Sequence, residues 1–599
     1  MLFFIRKSLV VFVGSSCSLV YAVCTPPSPA TTAGDTITCT GATTNEIYQL
    51  KASNQTWINE GDYTYPNPLN IRLGVNLGVI GNTQTGAPNG PFDGQTVINR
   101  GLIQVSNITL NEPGAFAFGV INMGFRGGRL NKSNQRVLNE ASGVISITQT
   151  NSSGNGVLTG VAMTSELGGV NTIENQGQFN ISTVSGTTGI FGLYAADFYT
   201  TATSYAITNS GSLTVTSTQP TTGTTPNTGV IIGGDALNNP NATLYEAVNS
   251  GTITIDLQSA TPADGVGIRL NRGSAQVARV ENTGDITLQG NVNPTNANLL
   301  KQSAGISVSS PIGTTPITTI TNSGTVDAQT AFSVLGSAAV EQFTNSGTLI
   351  GPVNLADGSD EMTVLAGSVI NDLLDGGDDV GSADGMVDTL NFDGLTITAP
   401  DMMNWELTNV INGANVTFAD DFTTETLTTD SASTAVLADA LTITGDVLND
   451  GTINMQSGTA TGTATIDGNL TGSGTLAISI DVGADIADVL TVTGDSTGAS
   501  VAITPNPISA VPATGNDVLV ATVNGTPAAG DFTLPNGTTM QTINGVTYEL
   551  VLVGDNWFLR ANGTPMIAKI PSVSVLGLLL LMFFISRAGL LATRQERKR

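Results

Sequence analysis

Ile317-Thr-Thr-Ile-Thr-Asn-Ser-Gly-Thr-Val326 is the phrase on which the reading of this chain turns. Aliphatic residues alternate with threonines, an Asn-Ser-Gly corner follows, and the alternation resumes at once. The pattern predicts strand, tight turn, strand, with every second side chain on one buried face. Gly324 is expected to take the positive φ of a sharp corner, and Asn322 is the non-glycine residue best suited to such a turn.

The corner returns as Asn99-Arg-Gly101, Asn139-Glu-Ala-Ser-Gly143, Asn175-Gln-Gly177, Asn209-Ser-Gly211, Asn249-Ser-Gly251, Asn282-Thr-Gly284, Asn345-Ser-Gly347 and Asn449-Asp-Gly451. From Asn99 to Asn345 the successive gaps are 40, 36, 34, 40, 33, 40 and 23 residues. The shortest gap shows the minimal unit. It holds Gly-Thr-Val-Asp-Ala, Ala-Phe-Ser-Val-Leu and Ala-Val-Glu-Gln-Phe-Thr, three short strands in one repeat. Longer repeats keep the three strands, often with Gly and an aliphatic residue opening the middle one (Gly229-Val-Ile, Gly305-Ile-Ser-Val), and add polar loop. Such a unit buries its apolar face only against its neighbours, which makes it one coil of a solenoid. The expected fold is all-β, a right-handed parallel β-helix. A series of β-sandwiches, the alternative, would turn about every 8–12 residues and show no module of this length.

Composition agrees. The 599 residues carry 20 Lys and Arg against 47 Asp and Glu, a net charge of −27, and no histidine. No basic stripe is available for nucleic acid. Without histidine there is no Ser-His-Asp or Cys-His constellation and no zinc site built on His and Cys. A carbohydrate-acting β-helix enzyme using paired acids is the alternative function, but no pairing of carboxylates is visible in the sequence.

Residues 1–22 read as a secretory signal peptide, with Arg6 and Lys7 at its start, an apolar run from Leu9 to Val13 and cleavage after Ala22. Cys24 and Cys39 then remain, and in an exported chain they are expected to form a disulfide worth about 3 kcal/mol. Residues 23–60 are expected to cap the solenoid, 61–350 to form the β-helix with long loops, and 395–560 to form shorter coils and a closing cap. Between them, 351–394 is rich in acidic turns: Asp357, Asp360, Asp375, Asp378 and Asp384 precede apolar strands, a pattern that resembles the calcium nonapeptide and makes these five residues candidate calcium ligands.

The last third carries an ordered series: Trp405-Glu-Leu-Thr-Asn-Val, Asn449-Asp-Gly-Thr-Ile, Ala487-Asp-Val-Leu-Thr-Val and Asn556-Trp-Phe-Leu-Arg560. In this the chain resembles the passenger of Gram-negative autotransporters, pertactin-like in its terminal coils. The resemblance implies an exported, adhesin-like or structural surface rod that displays polar loops, such as those of residues 217–228, 235–246 and 289–302, and no enzyme activity. One departure stands out. Only 39 residues follow Arg560, against the roughly 120 or more that a twelve-stranded translocating barrel needs, so the chain is not expected to build its own pore.

In place of a barrel comes Ile570-Pro-Ser-Val, an apolar run to Ile585, and a basic end from Arg594 to Arg599. The 21 residues 573–593 suffice for a transmembrane helix with its C terminus in the cytoplasm. The layout resembles C-terminal sorting segments of the Ile-Pro-Thr-Leu type, Ile570 and Pro571 matching and Ser572-Val573 replacing Thr-Leu. The resemblance implies anchoring in the envelope and a sorting protease as a partner.

Overall fold

The computed structural model describes residues 23–562 except 26–31, 45–47, 66–69, 72–79, 82–91, 111–115, 118–120, 124–131, 153–155, 165–167, 185–186, 197–202, 219–225, 234–240, 272–274, 276, 295–301, 310–316 and 512–513. The signal peptide with Ala22, and the tail with Ile570, Pro571 and the apolar run, lie outside the described residues. Among those described there is no α-helix, and no helix is long and apolar enough to cross a membrane.

Strand Thr318–Asn322 pairs in parallel with Glu341–Asn345, Thr325–Asp327 with Thr348–Ile350, and Phe332–Leu335 with Val353–Asn354. Each repeat is therefore one turn of a parallel β-helix with three faces, and the sandwich alternative falls away. The strands alternate in burial as their sequence does: Thr318, Ile320 and Asn322 point inward, Thr319 and Thr321 outward. One continuous apolar core runs along the interior.

The corner asparagines lie in one column. Register places Asn59, Asn99, Asn139, Asn175, Asn209, Asn249, Asn282, Asn322 and Asn345 each beside the next, whatever the length of the loops between them. All are buried, and each Nδ2 donates to the next Oδ1 at 2.7–2.8 Å. Loop length is thus free to vary while the coil is fixed.

The expected reason for the corner glycine is corrected. Neither Gly324 nor Asn322 has a positive φ. Instead, a Cβ on Gly324 would run into the carbonyl oxygen of Gly284 in the adjacent coil, and Gly284 stands in the same relation to Gly251. Glycine is required because backbones touch there, and asparagine because its side chain both gives and takes a hydrogen bond along the rod.

Residues 351–394 continue the same three faces in register. Beyond Met402–Met403, the last strand of its sheet, the cross-section changes. Strands Phe422–Thr429 and Leu441–Asn449 are long and carry a register shift between Thr423 and Thr426. One bent strand now does the work of two, which is why these coils need fewer residues.

Both ends close with antiparallel strands. Val23–Thr25 lies against Thr36–Thr40, with Cys24 bonded to Cys39. Thr36–Thr40 and Thr56–Asn59, read from sequence as part of a cap, already pair in parallel as coils, and Cys39 sits at the head of the asparagine column. At the other end Asn556–Ala561 runs antiparallel to Val518–Val523 and to Val546–Val553, and Trp557 packs edge-on against Phe532, 5.5 Å between ring centres. Capping of this kind removes an open strand edge.

Candidate functional site

The five candidate calcium ligands fall into different environments. Asp357 is exposed at a turn. Asp375 is half-buried, accepting from Asn354 Nδ2 at 2.7 Å and Asn404 Nδ2 at 2.9 Å, and burial raises its pKa. Asp384 takes the Met386 N–H at 2.9 Å, which with a hydrogen bond to Asp378 holds its pKa below the usual value. Asp378, its partner, is pushed up by burial and by that neighbour. Asp360 points into the core. Among the described residues no three Asp, Glu, Cys or His side chains gather in a metal-ligating group.

Asp360 belongs to a different assembly, one that its sequence neighbours did not reveal. Glu341, Asp360, Asp388 and Glu406 occupy equivalent positions in four successive coils, each immediately before or at the start of an inward-facing strand. Their exposures are 0, 1, 0 and 2%. The backbone N–H of Glu341 donates to Asp360 Oδ1 (2.6 Å), that of Asp360 to Asp388 Oδ1 (2.7 Å), and that of Asp388 to Glu406 Oε2 (2.6 Å). Ser337 closes the top, giving its N–H and Oγ to the two oxygens of Glu341 at 3.0 and 2.7 Å. The signal was the period of 2: Asp360, Met362 and Val364 share a parity, as do Asp388, Leu390 and Phe392, so the acids had to face inward with the core residues.

On the outer surface, strands Gly265–Asn271, Ala304–Ser309 and Phe332–Leu335 frame a cavity of about 210 Å³. Arg269, Ser307, Ser309, Ser337 and Asp357 line it. The guanidinium of Arg269 donates from Nε to Asn271 Oδ1 at 3.0 Å. Asp357 is the one carboxylate among these described lining residues, whereas glycoside hydrolysis by the usual route places two across the bond to be cut. The cavity lining sets these polar groups beside the apolar side chains of Val308, Leu335, Ala338 and Ala356.

The described coils form a parallel β-helix that keeps its register across connections of differing length. Residues 444–561 match the family model described as Pertactin, so the terminal coils and cap are pertactin-like. No curated protein matches the chain. Among solved structures, the Haemophilus influenzae Hap adhesin is similar at 12% identity and a TM-score of 0.28, over 88% of this chain and 64% of that one. The chain thus spans less than two thirds of that adhesin's length.

Proposed function

We propose that this chain is an exported bacterial surface protein, adhesin-like or structural, in which a rigid β-helical rod holds polar loops out for contact. The observation that carries the reading is the pertactin-like closure of residues 444–561 on a rod whose coils keep one register through loops of very different length. Rigidity then comes from the asparagine column and the core, while recognition is left to the loops. The signal peptide ending at Ala22 delivers the chain, the apolar tail after Ile570-Pro571 anchors it in the envelope, and a sorting protease acts at that tail. Deleting residues 219–225, within the polar stretch 217–228 read from sequence as a loop, leaves strands Ser212–Ser217 and Asn227–Ile232 intact in sequence. The reading expects the rod to fold as before and cell attachment to a host or biofilm surface to fall. Unchanged attachment with every loop so treated would leave a purely structural role. Fractionation followed by mass spectrometry of the C-terminal peptide tests the anchor; a full-length tail on protein free in the medium contradicts it.

A further inference from the structure

The four stacked acids raise a question of charge that the surface role does not touch. No lysine or arginine occurs anywhere between Lys301 and Arg560. The charged groups around the column are themselves acidic: Asp375 and Asp378 from the turn beside it, and Glu425 from the strand beyond Glu406. Above Glu341 the equivalent position is Thr318, which is uncharged. Four carboxylates in adjacent coils, roughly 4.8 Å apart and out of contact with water, cannot all be ionised without a cation or a proton to neutralise them.

The hydrogen bonds say which. Each Asp of the column uses Oδ1 to accept the N–H of the coil before it, and the other oxygen of both Asp360 and Asp388 is buried with no partner. A free buried carboxylate oxygen is costly, and a proton on that atom removes its charge and turns it into a donor. Glycines make the room. Gly358 and Gly376 lie so close to the carboxylates of Asp360 and Asp388 that a Cβ there would stand 3.0–3.1 Å from their oxygens.

We propose that Glu341, Asp360, Asp388 and Glu406 form a proton-holding column that ties the joint between the long-loop and short-coil halves of the rod to pH, tightening it as the medium turns acidic. Burial, and then the neighbouring acids, push Asp360 up to about 10 and Asp388 up to about 8; burial also raises Glu406. The sign follows from linkage. A carboxyl whose folded pKa exceeds its unfolded value binds a proton on folding, so its contribution is greatest at low pH. Stability then falls as pH rises from near the ordinary aspartate value of 3.8 through about 8 for Asp388 and about 10 for Asp360. This is the reverse of the behaviour of a carboxylate whose folded pKa lies below its ordinary value.

The test uses the full chain and hydrogen exchange of the amides in residues 341–411, corrected for intrinsic rates, from pH 5 to pH 8.5 with a chelator present. The opening constant of these coils is expected to rise by up to about tenfold per pH unit for each titrating carboxyl. Asp360→Asn and Asp388→Asn, which mimic the neutral acid, should each remove one such step. Wild-type slopes in both variants would overturn the proposal. So would protection lost to chelator at pH 5, or restored at pH 8.5 by millimolar calcium, since the column would then hold metal. Should the variants not fold, refolding of the wild-type chain at pH 7 in weak buffer decides. Net uptake of roughly two protons supports the column, and no uptake or net release contradicts it.

Discussion

Asn322 and Asn345 stand 23 residues apart in sequence and 2.8 Å apart in space, Nδ2 of the first on Oδ1 of the second. That bond ends a run of eight, and beyond it Asn345 turns to Ser368 Oγ at 3.1 Å. The column positions that follow are Val364, Phe392 and Val410, all apolar. Where the asparagines stop at the end of the strand, the acids begin at its start. Glu341 and Asn345 share the one coil in which both columns are present.

Breaking the asparagine run in its middle should be costly. Asn282→Ala leaves Asn322 Oδ1 buried without the donor at 2.8 Å and Asn249 Nδ2 with its longer contacts to the Gly251 and Asp285 carbonyls, a penalty of about 1–3 kcal/mol. Chemical unfolding followed by hydrogen exchange should locate the loss in the coils on either side of position 282. An effect spread evenly along the rod would show that coils do not act as neighbours.

Two glycines to alanine should separate contact from conformation. Gly324→Ala forces a Cβ against the Gly284 carbonyl, overpacking worth about 1–3 kcal/mol or more. Gly385, with φ of 91° and nothing within 4 Å of a Cβ, pays only for its left-handed backbone, on the order of 1 kcal/mol. Thermal unfolding of the two variants should rank them in that order.

The rod was legible in sequence because its most demanding positions repeat. Asn322 and Gly324 have counterparts in each coil from Asn99 to Asn345, where the hydrogen-bonded column and the backbone contact select those two residues, so the corner could be followed through gaps of 23 to 40 residues. Why glycine was needed could not be read, because a positive φ and a close approach select the same residue. The acid column escaped for a related reason. Asp357 and Asp360 are three residues apart and look like one acidic turn, yet one faces water and the other the core. Only parity with Met362 and Val364 distinguishes them. The change from three strands per coil to a bent pair after Met403 left no mark beyond shorter spacing.

The disulfide should hold only the first coil. Cys24→Ser with Cys39→Ser opens a loop of sequence separation 15, a loss of about 3 kcal/mol, and frees the antiparallel strand Val23–Thr25 from Thr36–Thr40. Limited proteolysis should then trim the N terminus while the coils after Asn99 resist. Collapse of the whole rod would contradict local stacking.

Asp93 should respond to pH in the opposite sense to the acid column. Hydrogen bonds from Ser133 Oγ (2.5 Å) and Asn134 Nδ2 (2.8 Å) hold its pKa below the ordinary value. Its contribution is present above the ordinary aspartate value of 3.8 and is lost as pH falls through the lower folded one. Exchange of the amides around residues 93–99 should therefore quicken in acid, after correction for intrinsic rates, and Asp93→Asn should flatten that response.

Distances between spin labels along one face measure the coil stack itself. Thr208, Val248, Glu281, Thr321, Thr344, Thr363, Asn391 and Asn409 follow one another in register. Labels at Thr208 and Thr344 should lie about 19 Å apart, and at Thr208 and Asn409 about 34 Å apart, one strand spacing per coil. Separations that follow residue number instead of coil number, or that stay the same for both pairs, would contradict a continuous parallel β-helix.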